Sequence, residues 1–377
     1  MPPRVLMVAG EASGDLHGGA VVRALKRLHP AVEIAGLGGD MMGREGMRLV
    51  RHIREYSFMG FIEVLRNLPA VRALERSLLR ELEDARPDAV VLIDYPGFNL
   101  RFARKAKERG IPVLYYISPQ LWAWNRGRIR RMARCVDRMK VVFPFEVGMY
   151  RAQGIDVEWV GHPLAEHLGS RLSRAEFARQ HALDPARKIL GMFPGSRPQE
   201  IERILPAMAA AGEELARTRT VQLALGVAPN LGPAFIRRHL PAGSTICLVE
   251  NATYELMAHA DAAIVTSGTA TLETGWFGTP MTVVYKTSAT TFFIGRMLVD
   301  IPYIGLVNIV AGKKVVPEFV QHDMTTKNLV DAVGRILDDP AYAAAMRRDL
   351  GVIRESLGSP GASEKVARGI LALAGGT

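Results

Sequence analysis

Residues 261–277 form the unit of this sequence that narrows the choice of fold most. The unit begins with an apolar run, Asp261-Ala262-Ala263-Ile264-Val265, which has the length and composition of a strand buried on both faces. A polar corner, Thr266-Ser267-Gly268, follows the run, and the stretch from Thr271 to Phe277 has a helical pattern. Strands buried on both faces occur mainly in parallel sheets covered by helices, so the unit predicts an α/β protein.

The corner of this unit is suited to bind a phosphate group. Gly268 lets the backbone approach a ligand closely, and Ser267 is of a residue type that caps helices. A helix that starts directly after a buried strand offers free N–H groups and the positive end of its dipole to an anion. Glu273 lies too far inside the helix to cap it, but its carboxylate is placed to hold a sugar diol. Taken alone, the unit is equally compatible with an ordinary structural corner.

Similar apolar runs recur along the whole chain, and helical patterns separate them. The predicted strands are residues 4–9, 32–35, 88–93, 111–117, 141–146, 157–160, 188–193, 221–225, 245–249, 261–265 and 281–285. Alternating strands and helices predict parallel sheets, and a chain of 377 residues is long enough for two domains. We place the domain boundary near Gly161-His162-Pro163-Leu164.

The first predicted strand ends in a turn that favours a sugar over a phosphate. The turn, Gly10-Glu11-Ala12-Ser13-Gly14-Asp15, stands where a dinucleotide-binding loop would stand, but it lacks the GxGxxG pattern. The carboxylate of Glu11 would repel a phosphate, so a hydroxyl-rich ligand fits better. A tight structural turn is the alternative interpretation.

Asp94 is the candidate general base. It follows a buried strand directly, and ligands of open α/β sheets bind at the carboxyl ends of the strands. The turn that follows is built from Pro96 and Gly97. The alternative is that Asp94 or Asn99 caps the next helix.

Arg197 is the candidate diphosphate clamp in the second half of the chain. It stands in the turn Pro194-Gly195-Ser196-Arg197, between a predicted strand and a predicted helix. The planar fork of a guanidinium suits phosphate oxygens. The alternative is a surface salt bridge.

The formal net charge of +10 favours an anionic partner, which could be nucleic acid, a phosphorylated substrate or an anionic membrane. A basic run extends from Arg126 to Lys140, and Phe58 to Leu68 carries an apolar stripe at helical spacing. The basic run is either a solvated helix face or an attractor of phosphate groups, and the stripe is either core or a surface for acyl chains. The basic run lacks the interleaved aromatic residues of single-strand binding, so we expect no nucleic acid.

Several absences in the sequence bear on location and metal binding. There is no run of about 18 apolar residues, and the start of the chain leads directly into a strand, so we expect neither a transmembrane helix nor a signal peptide. Cys135 and Cys247 predict reduced thiols in the cytoplasm. The chain has no Asp-x-Asp pair and no His/Cys cluster with ligand spacing, so we expect no metal.

A set of short motifs, in this order, resembles the lipid A disaccharide synthase family. The motifs span nearly the whole chain and are Ala9-Gly10-Glu11-Ala12-Ser13-Gly14-Asp15, Ile93-Asp94-Tyr95-Pro96-Gly97-Phe98-Asn99, Ser118-Pro119-Gln120-Leu121-Trp122-Ala123-Trp124, Val160-Gly161-His162-Pro163, Pro194-Gly195-Ser196-Arg197, Ser267-Gly268-Thr269-Ala270-Thr271-Leu272-Glu273 and Asn308-Ile309-Val310-Ala311-Gly312. Val307 stands where the family more often has Pro, and Lys313 stands where Arg is usual.

The resemblance implies a GT-B glycosyltransferase, in which two Rossmann-like domains face each other across a cleft and the C-terminal helix returns to the first domain. The implied domains are residues 1–165 on the acceptor side, residues 166–345 for the UDP-sugar, and residues 346–377 as helices that pack back on the first domain. The implied reaction joins UDP-2,3-diacylglucosamine to 2,3-diacylglucosamine 1-phosphate with inversion and releases UDP, without a cofactor. The implied location is the cytoplasmic face of the inner membrane, as a peripheral protein, and a homodimer is an allowed assembly.

The resemblance also implies roles for individual residues. Asp94 would take the proton from the acceptor 6-hydroxyl, with Glu11 as the alternative base, and Glu11 and Ser13 would contact the acceptor. The residues implied on the donor side are Ser196 and Arg197 with Ser267, Gly268, Thr269 and Ala270 for the diphosphate, Glu273 for the ribose, and Asn308 and Gln321 in the same pocket.

Two other functions remain open at this point. A UDP-N-acetylglucosamine 2-epimerase shares the fold but has no use for the apolar segments 58–68 and 287–310. A non-catalytic protein that binds lipid A precursors would use the same apolar and basic surfaces without chemistry.

Overall fold

The chain is described from a computed structural model, which covers residues 1–56, 68–119, 127–288, 292 and 302–375. It divides into two compact units, the first formed by Met1–Glu166 and Leu357–Thr377 and the second by His167–Ser356. The predicted stripe from Phe58 to Leu68 lies outside the described side chains, and so do Trp122 and Trp124.

A seven-stranded parallel sheet forms the centre of the first unit, in the order β3-β2-β1-β4-β5-β6-β7. The strands are β1 (Arg4–Ala9), β2 (Glu33–Gly38), β3 (Arg48–His52), β4 (Ala89–Ile93), β5 (Val113–Tyr116), β6 (Arg138–Val141) and β7 (Asp156–Trp159). The chain winds outward in one direction from β1 and in the other from β4. The boundary between these two strands is therefore the topological switch point, where open α/β sheets bind their ligands.

Helices of the first unit follow its strands. They are α1 (Ala12–Leu28), α2 (Asp40–Arg44), α3 (Leu68–Asp84), α4 (Pro96–Lys107), α5 (Gly127–Met132) and α6 (Glu146–Arg151), with 3-10 turns at Ile53–Glu55 and Pro163–Glu166. All five residues of β4 are buried, as the apolar run predicted.

The second unit contains a six-stranded parallel sheet in the order β10-β9-β8-β11-β12-β13. Its strands are β8 (Lys188–Phe193), β9 (Val221–Val227), β10 (Cys247–Glu250), β11 (Ala262–Thr266), β12 (Met281–Tyr285) and β13 (Glu318–Val320). Its switch point lies between β8 and β11. The α/β fold with parallel sheets, predicted from the alternation of strands and helices, is confirmed.

The second unit has eight described helices. They are α7 (Arg174–Gln180), α8 (Pro198–Thr218), α9 (Pro233–Arg237), α10 (Thr253–His259), α11 (Thr269–Trp276), α12 (Leu306–Ala311), α13 (Thr326–Asp338) and α14 (Pro340–Leu357), with a 3-10 turn at Gln321–Asp323.

The last helix, α15 (Ala362–Leu373), belongs to the first unit and packs against α1. At its start, the backbone N–H and the hydroxyl of Ser363 each donate to Glu166, both at 2.7 Å. Gly369 lies directly over β6, because an added Cβ would stand 2.5 Å from Cε of Lys140. The return of the C-terminal helix to the first unit, implied by the resemblance, is present.

The prediction of a strand at 141–146 is wrong. The structure places β6 at Arg138–Val141, and a turn then leads into α6 at Glu146. Pro144 has no N–H to donate to a ladder, and the Glu146 carboxylate accepts instead from the N–H of Phe143 at 3.0 Å. Arg138 and Lys140 are therefore strand residues. They do not belong to the predicted basic helix face.

Both strand residues carry ion-pair partners. Lys140 is only 5% exposed and pairs with Glu158, while Arg138 pairs with Asp156 at 3.2 Å. Of the helices in the described part of the chain, none is long and apolar enough to cross a membrane.

Candidate active site

Asp94 and Glu11 lie side by side at the switch point of the first unit. Strands β1 and β4 are paired so that Ala9 stands opposite Ile93. The turn after β1 therefore begins at the same level as the turn after β4. The predicted acceptor residues and the predicted base share this edge of the sheet.

The turn that carries Asp94 has a strained backbone. Asp94 and Tyr95 have φ angles of 46° and 47°, a left-handed conformation that non-glycine residues seldom adopt. Such residues cost about 1–3 kcal/mol each and persist only where the surroundings hold them. Gly10 provides part of the room, since an added Cβ would stand 2.2 Å from the Tyr95 ring.

Two side chains hold this turn by its carbonyl groups. Nδ2 of Asn99 donates to the backbone oxygen of Asp94 at 2.7 Å and to that of Ile93 at 3.2 Å. The hydroxyl of Tyr115 donates to the same Asp94 oxygen at 2.5 Å. The backbone of Asp94 is thus fixed, while its carboxyl group is not used in this network.

The pKa of Asp94 is raised to about 6, first by burial and then by the nearby charge of Glu11, while a hydrogen bond from the N–H of Tyr95 opposes the rise. The helix-cap alternative finds no support, because the N-cap residue of α4 is Tyr95 and no described side chain caps that helix. A half-buried carboxyl with a pKa in this range is ionised at neutral pH and can accept a proton.

Glu11 is the exposed N-cap residue of α1, and Ser13 lies exposed in the first turn of the same helix. Asp15, one turn further, has a structural role. Its carboxylate accepts from the N–H groups of Gly39, Met41 and Met42 at 2.7, 3.0 and 3.0 Å.

A pocket of about 660 Å³ lies at the switch point of the second unit. Strands β8, β9, β10 and β11 all end at it. It is lined by Phe193, Gly195, Ser196, Arg197, Glu200, Gly226, Ala228, Pro229, Asn251, Thr253, Tyr254, Glu255, Met257, Thr266, Ser267, Gly268, Thr269, Ala270 and Glu273. The structure therefore brings together the donor-side residues that the resemblance implied, namely Ser196, Arg197, Ser267, Gly268, Thr269, Ala270 and Glu273.

The corner between β11 and α11 leaves the start of its helix open. Gly268 is the N-cap residue with a φ of 146°, which a residue with a side chain would adopt only under strain. No described side chain caps α11, and the hydroxyl of Ser267 donates elsewhere, to the carbonyl of Ile304 at 2.8 Å. The first N–H groups of a helix have no partner four residues back. That of Thr271 donates to the carbonyl of Gly268 at 3.1 Å, and those of Thr269 and Ala270 remain for a ligand.

The corner between β8 and α8 is filled by Glu200. One oxygen of its carboxylate accepts from the N–H groups of Ser196 and Arg197 at 3.0 and 3.2 Å, and the other accepts from Nη1 of Arg197 at 3.0 Å. The salt bridge considered for Arg197 is thus present. The Arg197 side chain is nevertheless 66% exposed and lines the pocket, so its remaining N–H groups can reach a ligand.

Glu273 stands in the wall of the pocket beside a residue that the sequence analysis missed. The hydroxyl of Tyr254 lies 3.3 Å from Oε1 of Glu273 and donates to it. Burial raises the pKa of Glu273, and this hydrogen bond opposes the rise. Tyr254 follows strand β10 at the same edge of the sheet, so the rule that singled out Asp94 could have identified it.

Asn308 and Gln321 do not line this pocket. Asn308 is fully buried, and its amide donates to the carbonyl of Val316 at 2.9 Å and to Glu318 at 2.8 Å. Its oxygen accepts from the N–H groups of Val315 and Val316 at 2.8 and 3.0 Å.

Gln321 is tied to Thr287, whose N–H donates to it at 2.8 Å and whose carbonyl accepts from it at 3.2 Å. The predicted substrate contacts of Asn308 and Gln321 have no counterpart in this geometry and stay predictions. In the part of the chain that the structure describes, no group of three His, Cys, Asp or Glu side chains is placed to hold a metal ion.

Comparisons with known proteins agree on one family. The sequence model of the lipid-A-disaccharide synthetase family matches residues 5–350. The chain is 42% identical over 374 residues to a lipid-A-disaccharide synthase of Geobacter metallireducens, covering 99% of this chain and 97% of the relative. It is 38% identical to that of Myxococcus xanthus, covering 99% and 98%.

Solved structures resemble the chain in fold. The UDP-GlcNAc 2-epimerase from Neisseria meningitidis bound to UDP-GlcNAc has a TM-score of 0.66 at 15% identity, covering 98% of this chain and 100% of that one. The calicheamicin glycosyltransferase CalG4 has a TM-score of 0.61 at 17% identity, covering 99% of each chain. At such identities the likeness concerns the two-domain GT-B type of fold alone.

Proposed function

The chain belongs to the lipid-A-disaccharide synthase family, and from that premise we propose that its two switch points divide the work of one glycosyl transfer. It is a hexosyltransferase of lipid A formation. The epimerase alternative is not favoured, because the chain resembles the Neisseria meningitidis epimerase only in fold and shares 15% sequence identity with it. A binding protein without catalysis is not favoured either, because the relatives at about 40% identity are named as synthases.

The donor is UDP-2,3-diacylglucosamine, and the pocket of the second unit holds its nucleotide. The open start of α11 supports this assignment, because the amides of Gly268, Thr269 and Ala270 can meet a diphosphate there. The backbone N–H of Ser267 was expected in the same set, but it donates to the carbonyl of Val284 at 2.9 Å. Arg197 and Ser196 approach from the corner after β8, and Glu273 takes the ribose hydroxyls.

Charge develops on the diphosphate as UDP leaves. The helix dipole of α11 and the guanidinium of Arg197 would stabilise that charge as it grows. A phosphate leaving group needs no protonation, so the donor side requires no general acid.

The acceptor is 2,3-diacylglucosamine 1-phosphate, and the switch point of the first unit receives it. Its 6-hydroxyl is a primary alcohol, too weak an acid to ionise at neutral pH, so its proton must leave as the new bond forms. Asp94 accepts this proton while the oxygen attacks the anomeric carbon from the face opposite UDP, and the product is the β-1,6 disaccharide. The support is the fixed backbone of Asp94 and a pKa of about 6.

Glu11 and Ser13 complete the acceptor side. Glu11 raises the pKa of Asp94 by its charge, which keeps the base near the pH at which it works best. Ser13 offers an exposed hydroxyl in the first turn of α1 for a hydrogen bond to the sugar.

The enzyme acts as a peripheral protein on the cytoplasmic face of the inner membrane. Exposed arginines at the end of α5 and just after it support this proposal, namely Arg130, Arg131 and Arg134. The net charge of +10 favours the same anionic surface.

One observation carries the proposal: a pocket with an open helix start stands at the switch point of one unit, and a carboxyl with a pKa of about 6 stands at that of the other. The test is incubation with both acylated sugars, followed by mass spectrometry. Appearance of the disaccharide 1-phosphate with UDP supports the proposal. An epimerised UDP-sugar, or binding of both sugars without any product, would overturn it.

A further inference from the structure

Tyr254 has no role in the transfer as described so far, yet its position ties it to Glu273. It is the second residue of α10 and lines the donor pocket, with its hydroxyl 3.3 Å from Oε1 of Glu273. The two residues lie on different helices, α10 and α11. Their hydrogen bond therefore connects two elements across the pocket wall.

The direction of this hydrogen bond is fixed by chemistry. Burial and the nearby carboxylate raise the pKa of the Tyr254 hydroxyl above its usual value, so it keeps its proton at neutral pH. An ionised carboxylate has acceptor sites alone. Tyr254 therefore donates, and the bond favours the charged form of Glu273.

The ring of Tyr254 is itself held in place. It packs against the ring of Phe277, with 6.3 Å between the centroids, and Phe277 is the C-cap residue of α11. The same helix thus carries Glu273 in its middle and the packing partner of Tyr254 at its C-cap. A tyrosine has only two side-chain torsions, so this contact leaves its hydroxyl little freedom.

We propose that Tyr254 is a positioning residue for Glu273, which fixes one carboxylate oxygen so that the other faces the ribose hydroxyls of the donor nucleotide. The inference rests on the ribose role of Glu273 in the proposed function. A carboxylate without this bond samples several rotamers, and the ribose would have to select one of them at a cost in affinity. Tyr254 acts through Glu273 and touches no reacting atom.

The test is nucleotide binding by calorimetry, using Tyr254→Phe with UDP and with 2′,3′-dideoxy-UDP. The cost of immobilising one side chain on binding predicts that the UDP dissociation constant rises about 2- to 13-fold. Binding of 2′,3′-dideoxy-UDP is expected to be equal in the two proteins. Tyr342→Phe is the matched control, because Tyr342 lies on α14 against Arg335, outside the pocket lining, and should change neither constant.

The pH profile separates positioning from general damage. UDP binding should fall as pH decreases through the pKa of Glu273, and Tyr254→Phe should move that midpoint to higher pH because the bond that favours ionisation is gone. The ionisable groups that share the pocket are Arg197, Glu200, Tyr254 and Glu255. Glu273→Gln as background removes the titration of Glu273 and reveals any contribution from the others.

Several outcomes would overturn the inference. If Tyr254→Phe weakens UDP and 2′,3′-dideoxy-UDP equally, or leaves the midpoint in place, Tyr254 does not act through Glu273. If Glu273→Gln weakens UDP while Tyr254→Phe does not, the inference fails and the ribose role of Glu273 stands. If Glu273→Gln leaves UDP binding unchanged, the ribose role itself is wrong.

Discussion

Nη1 of Arg197 lies 3.0 Å from Oε1 of Glu200, so the proposed diphosphate clamp already has a carboxylate partner in the first turn of α8. The same carboxylate accepts from two backbone N–H groups of the preceding turn. Glu200 thus occupies the anion site of the β8 corner, whereas the β11 corner keeps its site for a ligand. The diphosphate must share Arg197 with Glu200.

Arg197→Ala should weaken UDP binding by roughly 1.5–3 kcal/mol, which is about 10- to 150-fold, because it removes a charged hydrogen bond to the diphosphate. Affinity for the acceptor should barely change. Arg217→Ala is the matched control, since Arg217 is an exposed residue at the other end of α8. An unchanged UDP dissociation constant in calorimetry would remove Arg197 from the site.

Asp94→Asn should lower turnover by about 10²- to 10⁴-fold, the usual contribution of a positioned general base, with UDP binding intact. Asp15→Asn is the contrasting control. It alters a buried carboxylate that holds three backbone N–H groups, so it should lower the melting temperature. Near wild-type turnover in the Asp94 variant would shift the role of base to Glu11.

The activity of the wild-type enzyme should depend on pH through Asp94. As a base it works when ionised, so kcat/KM should rise with a midpoint near the pKa of about 6 and level off above it. Glu11→Gln should move the midpoint to lower pH, because the charge of Glu11 raises this pKa. A midpoint that stays in place would mean that the two carboxyls do not interact.

The contribution of Asp94 to the free energy of unfolding should fall as pH rises, whereas its contribution to activity should rise. Its pKa is raised from 3.8 to about 6 in the folded protein, so between these values the native state binds more protons than the unfolded state, and this group's contribution to stability falls as pH rises. Asp94→Asn cannot ionise. Its melting temperature relative to wild type should therefore increase between pH 4 and pH 6, and a constant difference would contradict the shift.

Asn308→Ala should destabilise the protein without weakening UDP binding by the molecules that remain folded. The change leaves buried backbone N–H and carbonyl groups without partners, at about 1–3 kcal/mol each. Chemical denaturation measures the loss. Weak UDP binding at an unchanged stability would instead return Asn308 to the donor site.

Binding to anionic vesicles should weaken steeply from low to high salt. Each basic residue near such a surface contributes about 1 kcal/mol, and salt screens it. Replacement of Arg130, Arg131 and Arg134 by Gln should reduce binding in vesicle sedimentation. The matched control replaces Arg171, Arg237 and Arg238, which are exposed residues of the second unit. Equal binding to neutral and anionic vesicles would refute the electrostatic part.

Turnover should persist in EDTA, because the start of α11 and Arg197 supply the positive charge that a divalent ion supplies in other glycosyltransferases. The assay is product formation by metal-stripped protein, with and without added magnesium or manganese. Activity lost in EDTA and restored by either ion would show that charge stabilisation requires a metal.

Patterns of apolar residues were enough to predict most strands of both sheets. Runs such as 88–93 and 261–265 are buried on both faces, and that burial leaves a strong signal in sequence. The edge strands β3 and β13 carried no such signal, because most of their residues are half-buried or exposed. The burial of Lys140 could not be predicted from its neighbours in sequence. Its ion-pair partner Glu158 lies on the next strand, and α15, which covers Lys140, comes more than 200 residues later in the chain.

The sequence predicted where the residues of the candidate site lie, but it did not predict their hydrogen-bond partners. The rule that ligands bind where strands end selected Asp94. The pattern of a polar turn that leads into a helix selected Arg197 and the corner after β11. Those partners depend on hydrogen bonds between residues that are distant in sequence or on different elements, which a sequence pattern does not show. Asn308 belongs to a motif shared with the family, yet its described side-chain bonds go to Val315 and Val316 in the loop before β13 and to Glu318 at the start of that strand.

The helix α15 has a consequence for biosynthesis. The first unit is assembled from two separate pieces of chain, whereas the second is one continuous piece, His167–Ser356. On the ribosome, the second unit is complete in sequence before the first has received the helix that covers α1 and closes on Glu166. The usual order, in which the N-terminal domain is complete first, therefore cannot apply to the whole first unit, which lacks the cover over α1 until α15 has been synthesised.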